Sequence, residues 1–381
     1  MAEGPVSIQK RFEQMPEWAK AVMVAAIAAV ALVAGVAVAN AFAPKLEEPS
    51  LDALVEDAVA APVEVASQQG AAEQPDSREV ADTARSALDA ASVVDAVNVF
   101  DAVTGIDRAL GEAEAPEVAQ AVEAFHEAGY SVGFVVYDLV TQRGMGYNAN
   151  ATFFSASTVK APFVAYAVQD EVGSGRAAFE DEVAEDVVME GTGVMAFDDA
   201  SAYRLEDVLS NTIVHSDNTG YALLRERFDD GGFEAWCAAA SVDATAWEGE
   251  WYPYCTPLDL AKLWLNVGSY VAAGQEGGAW CADVLSQTDS SFLRVALGDR
   301  GTVLSKPGFE IDTPWYDIGA LNDAGVVLSD KGAYVVAVMS DADYDSDYFT
   351  DNEHLIVDLA SALGAAHDAV LVRSESEVAS L

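Results

Sequence analysis

Basic side chains are scarce in this 381-residue chain: Lys and Arg total 19 against 63 Asp and Glu, a formal net charge of -44. Phosphate backbones are bound by clustered Lys and Arg, so nucleic acid is excluded as a partner. A face resting on anionic lipid is disfavoured for the same reason. The acidity itself reads as solubility and self-repulsion. Cysteine is equally thin, with Cys237, Cys255 and Cys281 only, no C-x-x-C pair, and four histidines scattered along the chain. A structural zinc site therefore lacks its ligands, and no metal or cofactor is expected. At most one intrachain disulfide can form. Three pairings are open, of which Cys237–Cys255 closes the shortest loop, and three buried free thiols are the alternative.

Long apolar runs are also lacking, with one exception. Ala21 to Ala39 is uncharged and apolar, and as a helix it spans about 28 Å, close to the thickness of a bilayer core. Arg11 and Lys20 precede it and acidic sequence follows, which sets residues 1–20 in the cytoplasm and the remainder outside. Residues 21–43 are thus expected to be a single-pass anchor in the cell membrane. The alternative is a cleaved signal segment and a secreted protein, since Ala41-Phe-Ala43 has small-x-small character, although Pro44 follows directly.

Residues 44–114 are rich in Ala, Val, Glu and Asp and are interrupted by Pro44, Pro49, Pro62 and Pro75. They read as a solvated acidic tether, with helical spacing of Val80, Ala84 and Leu88 suggesting a stalk helix. The folded domain is expected over 115–370, with a C-terminal tail at 371–381. It opens on a helix from Pro116, stopped by Gly129. Ser131 to Leu139 and Tyr147 to Phe154 read as strands, Ser157 to Gln169 as an apolar helix, and 170–296 as helical segments split by Gly-rich turns. Strand patterns return at 302–306, 316–328 and 333–339, and Asp351 to Leu363 closes with a helix. Strands early, helices in the middle and strands late imply an α+β fold. One antiparallel sheet is built from both ends of the chain, flanked by helices, with an all-helical subdomain inserted and a cleft at the junction.

Three short strings carry chemistry. Ser157-Thr-Val-Lys160 places a hydroxyl at a helix start and an amine one turn on, on the same face. The helix N-terminus favours negative charge on an attacking oxygen, and a lysine whose pKa is lowered can take its proton. Ser216-Asp-Asn218 lies in a turn between helices; the Ser216 hydroxyl can relay a proton to a leaving nitrogen, the Asn218 amide can hold a substrate carbonyl, and Asp217 braces the turn. Lys306-Pro-Gly308 ends a strand: Lys306 can pair with a substrate carboxylate, Gly308 lets backbone approach a ligand, and the N–H groups of Phe309 and Ser157 can form an oxyanion hole.

Together the strings resemble those of the penicillin-recognising serine hydrolases, the class A β-lactamases and related D,D-peptidases. The approach Tyr147-Asn-Ala-Asn-Ala-Thr-Phe-Phe, the run Thr256-Pro-Leu-Asp-Leu-Ala-Lys-Leu, and Asn322-Asp-Ala-Gly with Ala337-Val-Met-Ser are similar to that family too. The resemblance covers roughly 116–370. It implies Ser157 as acylated nucleophile, Lys160 as its activator, Ser216 and Asn218 as second-box partners, and Lys306 and Gly308 as the third box. The substrate it implies is a β-lactam or a peptidoglycan-type peptide, and a monomer is expected. A D,D-peptidase or esterase, or a non-catalytic wall-binding relative, are the rival readings. Two departures stand out. Pro307 replaces the family's hydroxyl residue, and Ser305 points the other way in a regular strand. The family's Glu-x-x-Leu-Asn loop, which activates the deacylating water, is missing; by position Glu248 is the candidate base, with Glu250 next.

Overall fold

The structure is a computed structural model, described for residues 84–86, 88, 96–111, 114–228, 230–311, 318–344 and 352–372. The expected anchor at 21–43, the cytoplasmic residues 1–20, most of the tether and the end of the tail lie outside the described residues.

Two short strands come first, β1 (Asn98–Asp101) and β2 (Ile106–Ala109), followed by α1 (Pro116–Glu127). Proline at the start of α1 loses no hydrogen bond there, and Val118, Ala121, Val122 and Phe125 give one buried stripe. Next come β3 (Val132–Asp138), β4 (Arg143–Tyr147) and β5 (Phe153–Phe154). A 3-10 turn at Ala156–Val159 leads into α2 (Lys160–Tyr166), which ends in a π-helical turn at Ala167–Val172. The middle of the chain holds β6 (Glu182–Ala184), β7 (Ala202–Arg204), α3 (Leu205–Val214), α4 (Asn218–Arg227), α5 (Asp230–Ala239) and β8 (Tyr254–Cys255). After it come α6 (Pro257–Ala272), α7 (Glu276–Ser286), α8 (Phe292–Leu297), β9 (Gly301–Glu310), β10 (Ala320–Ser329), β11 (Gly332–Ser340) and α9 (Glu353–Ala366).

The main sheet has seven strands in the order β2-β1-β4-β3-β11-β10-β9, all antiparallel. Its central strands are buried on both faces, and the side chains alternate between them. In β11, Val335, Ala337 and Met339 join the core on the side of α6 and the helical body, while Tyr334, Val336 and Val338 join the core under α1, α8 and α9. Each such Val contributes about 1.5–3 kcal/mol by leaving water. α6 crosses β3, β10 and β11 and starts on a capping box. The Thr256 hydroxyl accepts the Asp259 amide at 3.0 Å, and the Asp259 carboxylate accepts the Thr256 amide at 3.2 Å.

This is the α+β arrangement read from the sequence, with an antiparallel sheet flanked by helices and a helical body between its two halves. The sheet, however, starts earlier than Pro116. β1 pairs with β4 over Asn98↔Gly146 to Asp101↔Arg143, and Val99 and Phe100 are buried. Ala84 and Leu88 are buried in the helical-side core, and the Arg85 guanidinium donates to Asn266 at 2.8 Å. Their helical spacing therefore serves packing on the domain rather than a free stalk. Strands of four residues, Asn-Val-Phe-Asp and Ile-Asp-Arg-Ala, carry too little alternation to be read as strands. The three cysteines are free and buried. Among the described residues one helical stretch, Glu353–Leu371, is long and apolar enough to cross a membrane. Its apolar stripe of Leu355, Ile356, Leu359 and Leu363 is buried against the sheet layer, as in a core helix.

Candidate active site

Ser157 sits half-buried in the 3-10 turn that leads into α2. The turn is clamped from several sides. The Thr158 hydroxyl donates to the Ser155 carbonyl at 2.7 Å, and the Ser155 amide donates to the Pro253 carbonyl at 3.0 Å. Asn322 on β10 donates to the Phe154 carbonyl at 2.8 Å, while its own side-chain oxygen accepts the Ser340 amide at 2.9 Å. Ala156, just before the serine, holds φ +44°, a conformation costly for a residue with a Cβ. Gly308 lies directly against this turn. A methyl added there would stand 2.6 Å from the amides of Ser157 and Thr158 and 2.7 Å from the Ser155 carbonyl.

Lys160 is fully buried. Its amine donates to the Ser216 carbonyl at 2.6 Å, to the Asn218 side-chain oxygen at 2.8 Å and, at 3.4 Å, to the Ser216 hydroxyl. Tyr221 and Tyr252 flank it, with ring centroids 5.8 and 5.7 Å from the nitrogen. Burial, and then the nearby Lys306 charge, push its pKa far below the ordinary lysine value, against an opposing pull from Asp217. Lys306, on β9, is buried as well. Its amine donates to the Ser216 hydroxyl at 3.0 Å and to the Pro307 carbonyl at 3.0 Å. Burial lowers its pKa to about 7, partly offset by Asp323 and Asp289.

The second string is held in a strained turn. Ser216 has φ +53°. Asp217 caps α4 by accepting the Gly220 amide at 2.8 Å, and it also accepts the amides of Val194 at 2.5 Å and Met195 at 2.8 Å. All these donors satisfy one buried carboxylate, which is the bracing role expected for it. Gly191-Thr192-Gly193 wraps over the turn. Both glycines have φ +116°, and a Cβ on Gly193 would stand 2.2 Å from the Asp217 carboxylate, so only glycine fits. The Thr192 hydroxyl donates to the Ser216 carbonyl at 2.7 Å.

Pro307 lies within β9, which is tolerable because β9 is the edge strand of the sheet. Ser305 faces the opposite side, with its hydroxyl 2.6 Å from that of Ser291 beside the buried Asp323. The Phe309 ring packs edge-on against Phe292 and Tyr344 at 6.1 and 4.9 Å.

Ser157, Lys160, Ser216, Asn218, Lys306 and Gly308 are thus brought together. Glu248 is not. It is exposed and lines a surface cavity with Arg225, Asp230, Phe233 and Trp247. No hydrogen bond or ion pair among the described residues joins it to Lys160, Ser216 or Asn218. The residue that does arrive from that loop is Tyr252, whose hydroxyl donates to the Asn218 side-chain oxygen at 3.1 Å. Neither Tyr252 nor Thr192 belongs to a recognisable string; the nearest sequence signal is the glycine pair around Thr192.

The profile of the Beta-lactamase enzyme family matches residues 116–367. Among solved structures, PBP-A superposes with a TM-score of 0.56 at 21% identity, covering 66% of this chain and 96% of that one. A beta-lactamase from Sphaerobacter thermophilus DSM 20745 gives 0.55 at 24% identity, over 67% and 97% of the two chains. One from Chitinophaga pinensis DSM 2588 gives 0.56 at 20% identity, over 66% and 99%. At these identities the likeness shows the fold. No curated protein sequence matches the chain.

Proposed function

The chain belongs to the beta-lactamase enzyme family, and from that premise we propose that this serine hydrolase opens an amide, of the β-lactam or peptidoglycan-peptide type, through an acyl-enzyme on Ser157. The observation that carries the reading is the fully buried amine of Lys160, one turn from Ser157 and hydrogen-bonded to Ser216 and Asn218. Burial and the nearby Lys306 charge favour the neutral form of this amine, and a neutral amine within reach of a serine hydroxyl can take its proton.

In this reading the Ser157 hydroxyl attacks the substrate carbonyl while Lys160 takes its proton. The oxyanion that forms rests on the N–H groups of Ser157 and Phe309. Ser216, linked to both lysines, passes a proton to the departing nitrogen. Asn218 holds the substrate's amide group, and Lys306 meets its anionic end. Gly308 keeps the strand edge low enough for substrate to lie beside it. The apolar run at Ala21–Ala39 supports placing this domain outside the cytoplasm, anchored or released.

A second reading is favoured by one observation. Glu248 is exposed and has no hydrogen bond to Lys160, Ser216 or Asn218 among the described residues, and Asp217 spends its oxygens on backbone amides. Without a free carboxylate the ester on Ser157 is released slowly, which is penicillin-binding or D,D-peptidase behaviour. Of the structures that match, one is a point mutant of PBP-A in an acyl-enzyme complex with penicillin G. Intact-mass analysis after incubation with benzylpenicillin tests both readings. A covalent adduct mapped to Ser157 is expected, and its absence at every exposure time would overturn the acyl-enzyme proposal. Rapid disappearance of the adduct would favour a lactamase, and persistence would favour the second reading.

A further inference from the structure

One residue before Ser216, at the end of α3, stands His215. Its Nδ1 lies 2.7 Å from the Asp289 carboxylate, and the Asp289 amide donates to the Val214 carbonyl at 2.8 Å. Asp289 comes from the turn between α7 and α8. The Arg294 guanidinium fixes that turn, donating to the Ser286 carbonyl at 3.0 Å, to the Thr288 hydroxyl at 3.1 Å and to the Thr288 carbonyl. Two held backbones thus present the pair, a half-buried histidine and an exposed aspartate. Its neighbour Ser216 takes the Lys306 hydrogen bond at 3.0 Å.

The Asp289 charge reaches Lys306 and raises its pKa against the effect of burial. An anion approaching Lys306 therefore meets the field of Asp289 as well. The other charged groups on the surrounding elements have their own partners or places. Lys160 on α2 donates to Ser216 and Asn218, and Asp217 at the start of α4 accepts backbone amides. Asp323 on β10 lies with Ser291 and Leu293 on the far side of the sheet, and the last turn of α7 carries Asp283, which is exposed. Imidazole is the side chain whose charge changes between about pH 5 and 8.

We propose that the His215–Asp289 pair is a pH-dependent charge gate at the Lys306 end of the site. With His215 protonated the pair is neutral and a substrate carboxylate approaches Lys306 freely. With His215 neutral, the uncompensated Asp289 carboxylate repels it. The gate deepens the acyl-enzyme reading above and rests on it: the preferred substrate carries an anionic end and is taken best under mildly acidic conditions. His215 touches no reacting atom. It is a positioning residue that acts on the approach of substrate and not on the attack of Ser157.

The test measures the second-order rate of covalent labelling of the full chain, by intact mass at low salt, with benzylpenicillin and with its uncharged methyl ester. Lys306 itself loses charge near neutral pH, so the wild type is compared with His215→Gln at each pH, since this variant keeps Lys306 and is never charged at 215. At about pH 6 the wild type is expected to label with benzylpenicillin roughly two- to fivefold faster than His215→Gln, the range of an ion pair open to water. At about pH 8.5 the two rates are expected to coincide, because both chains are then uncharged at 215. Added salt, about 0.5 M, should shrink the acid-side difference. The methyl ester is expected to label both chains within about twofold at either pH. Equal benzylpenicillin rates at the acid pH would overturn the proposal. So would a difference that persists at the alkaline pH or appears equally with the ester, since either marks a merely structural effect. His215→Asn is a second uncharged variant should His215→Gln fail to fold. A wild type that benzylpenicillin never labels would sink the acyl-enzyme reading and this inference with it, whereas labelling at rates indifferent to residue 215 would sink the inference alone.

Discussion

Lys160 and Lys306 aim their amines at the same oxygen, the Ser216 hydroxyl, at 3.4 and 3.0 Å. The Lys306 charge makes the neutral form of Lys160 less costly, and burial lowers the pKa of both amines. A shared hydroxyl between them is a short path for a proton. Ser157→Ala is expected to abolish covalent labelling by benzylpenicillin, checked by intact mass. Lys160→Met is expected to slow labelling by roughly 10²- to 10⁴-fold, the usual worth of a positioned base, while the chain stays folded by circular dichroism. Lys160→Arg is expected to be no better than Lys160→Met, because a guanidinium does not give up its proton.

Stability should depend on pH through the same pair. The Lys306 pKa falls to about 7 in the folded chain, from the ordinary 10.5. Between those values the unfolded chain binds a proton that the folded chain does not, so the free energy of unfolding rises with pH across this window. Below about 7 both states carry the proton, and the slope from this residue disappears. Lys160, also depressed, adds the same sign. Urea titrations from pH 7 to 10 should show this rise, and Lys306→Met should lose an amount on the order of a few kcal/mol of it.

Gly308→Ala should damage labelling more than stability. The added methyl would meet backbone at 2.6–2.7 Å on the Ser157 turn, and backbone there is pinned by Asn322 and Thr158. The edge strand must move away instead, at a cost of about 1–3 kcal/mol. Labelling is expected to drop by roughly 10²-fold, since a displacement near 1 Å is enough for that. A Gly308→Ala chain that labels at the wild-type rate would contradict the close approach of β9 to the turn.

Asp217→Ala removes a helix cap and leaves the Val194 and Met195 amides without their acceptor. A loss of about 2–4 kcal/mol is expected in chemical denaturation. Asp217→Asn keeps an acceptor and should recover a good part of it. Glu248→Gln, at an exposed position, should change neither labelling nor release by more than about twofold.

The three strings are legible because each joins a reactive side chain to structural punctuation. A serine opens a helical turn, Ser-Asp-Asn makes a turn between helices, and lysine with proline and glycine sits on an edge strand. Side chains delivered by loops are not legible. Tyr252 lies four residues from the expected Glu248, and its arrival depends on where Tyr221 and Ser155 hold the backbone. The start of the sheet escapes sequence reasoning for a related reason, because β1 and β2 owe their pairing to β4 and to the buried Phe100 rather than to their own alternation.

Strand β3 has its neighbour β11 some two hundred residues further on, with Val136 opposite Val336. A nascent chain leaving the ribosome therefore exposes Ser157 and Ser216 well before Lys306 has been synthesised, and contacts of such sequence separation close slowly. In the proposed mechanism the Ser157 site stays incomplete until β9 to β11 have been made, so a partly made chain is not acylated by substrate it meets on the way.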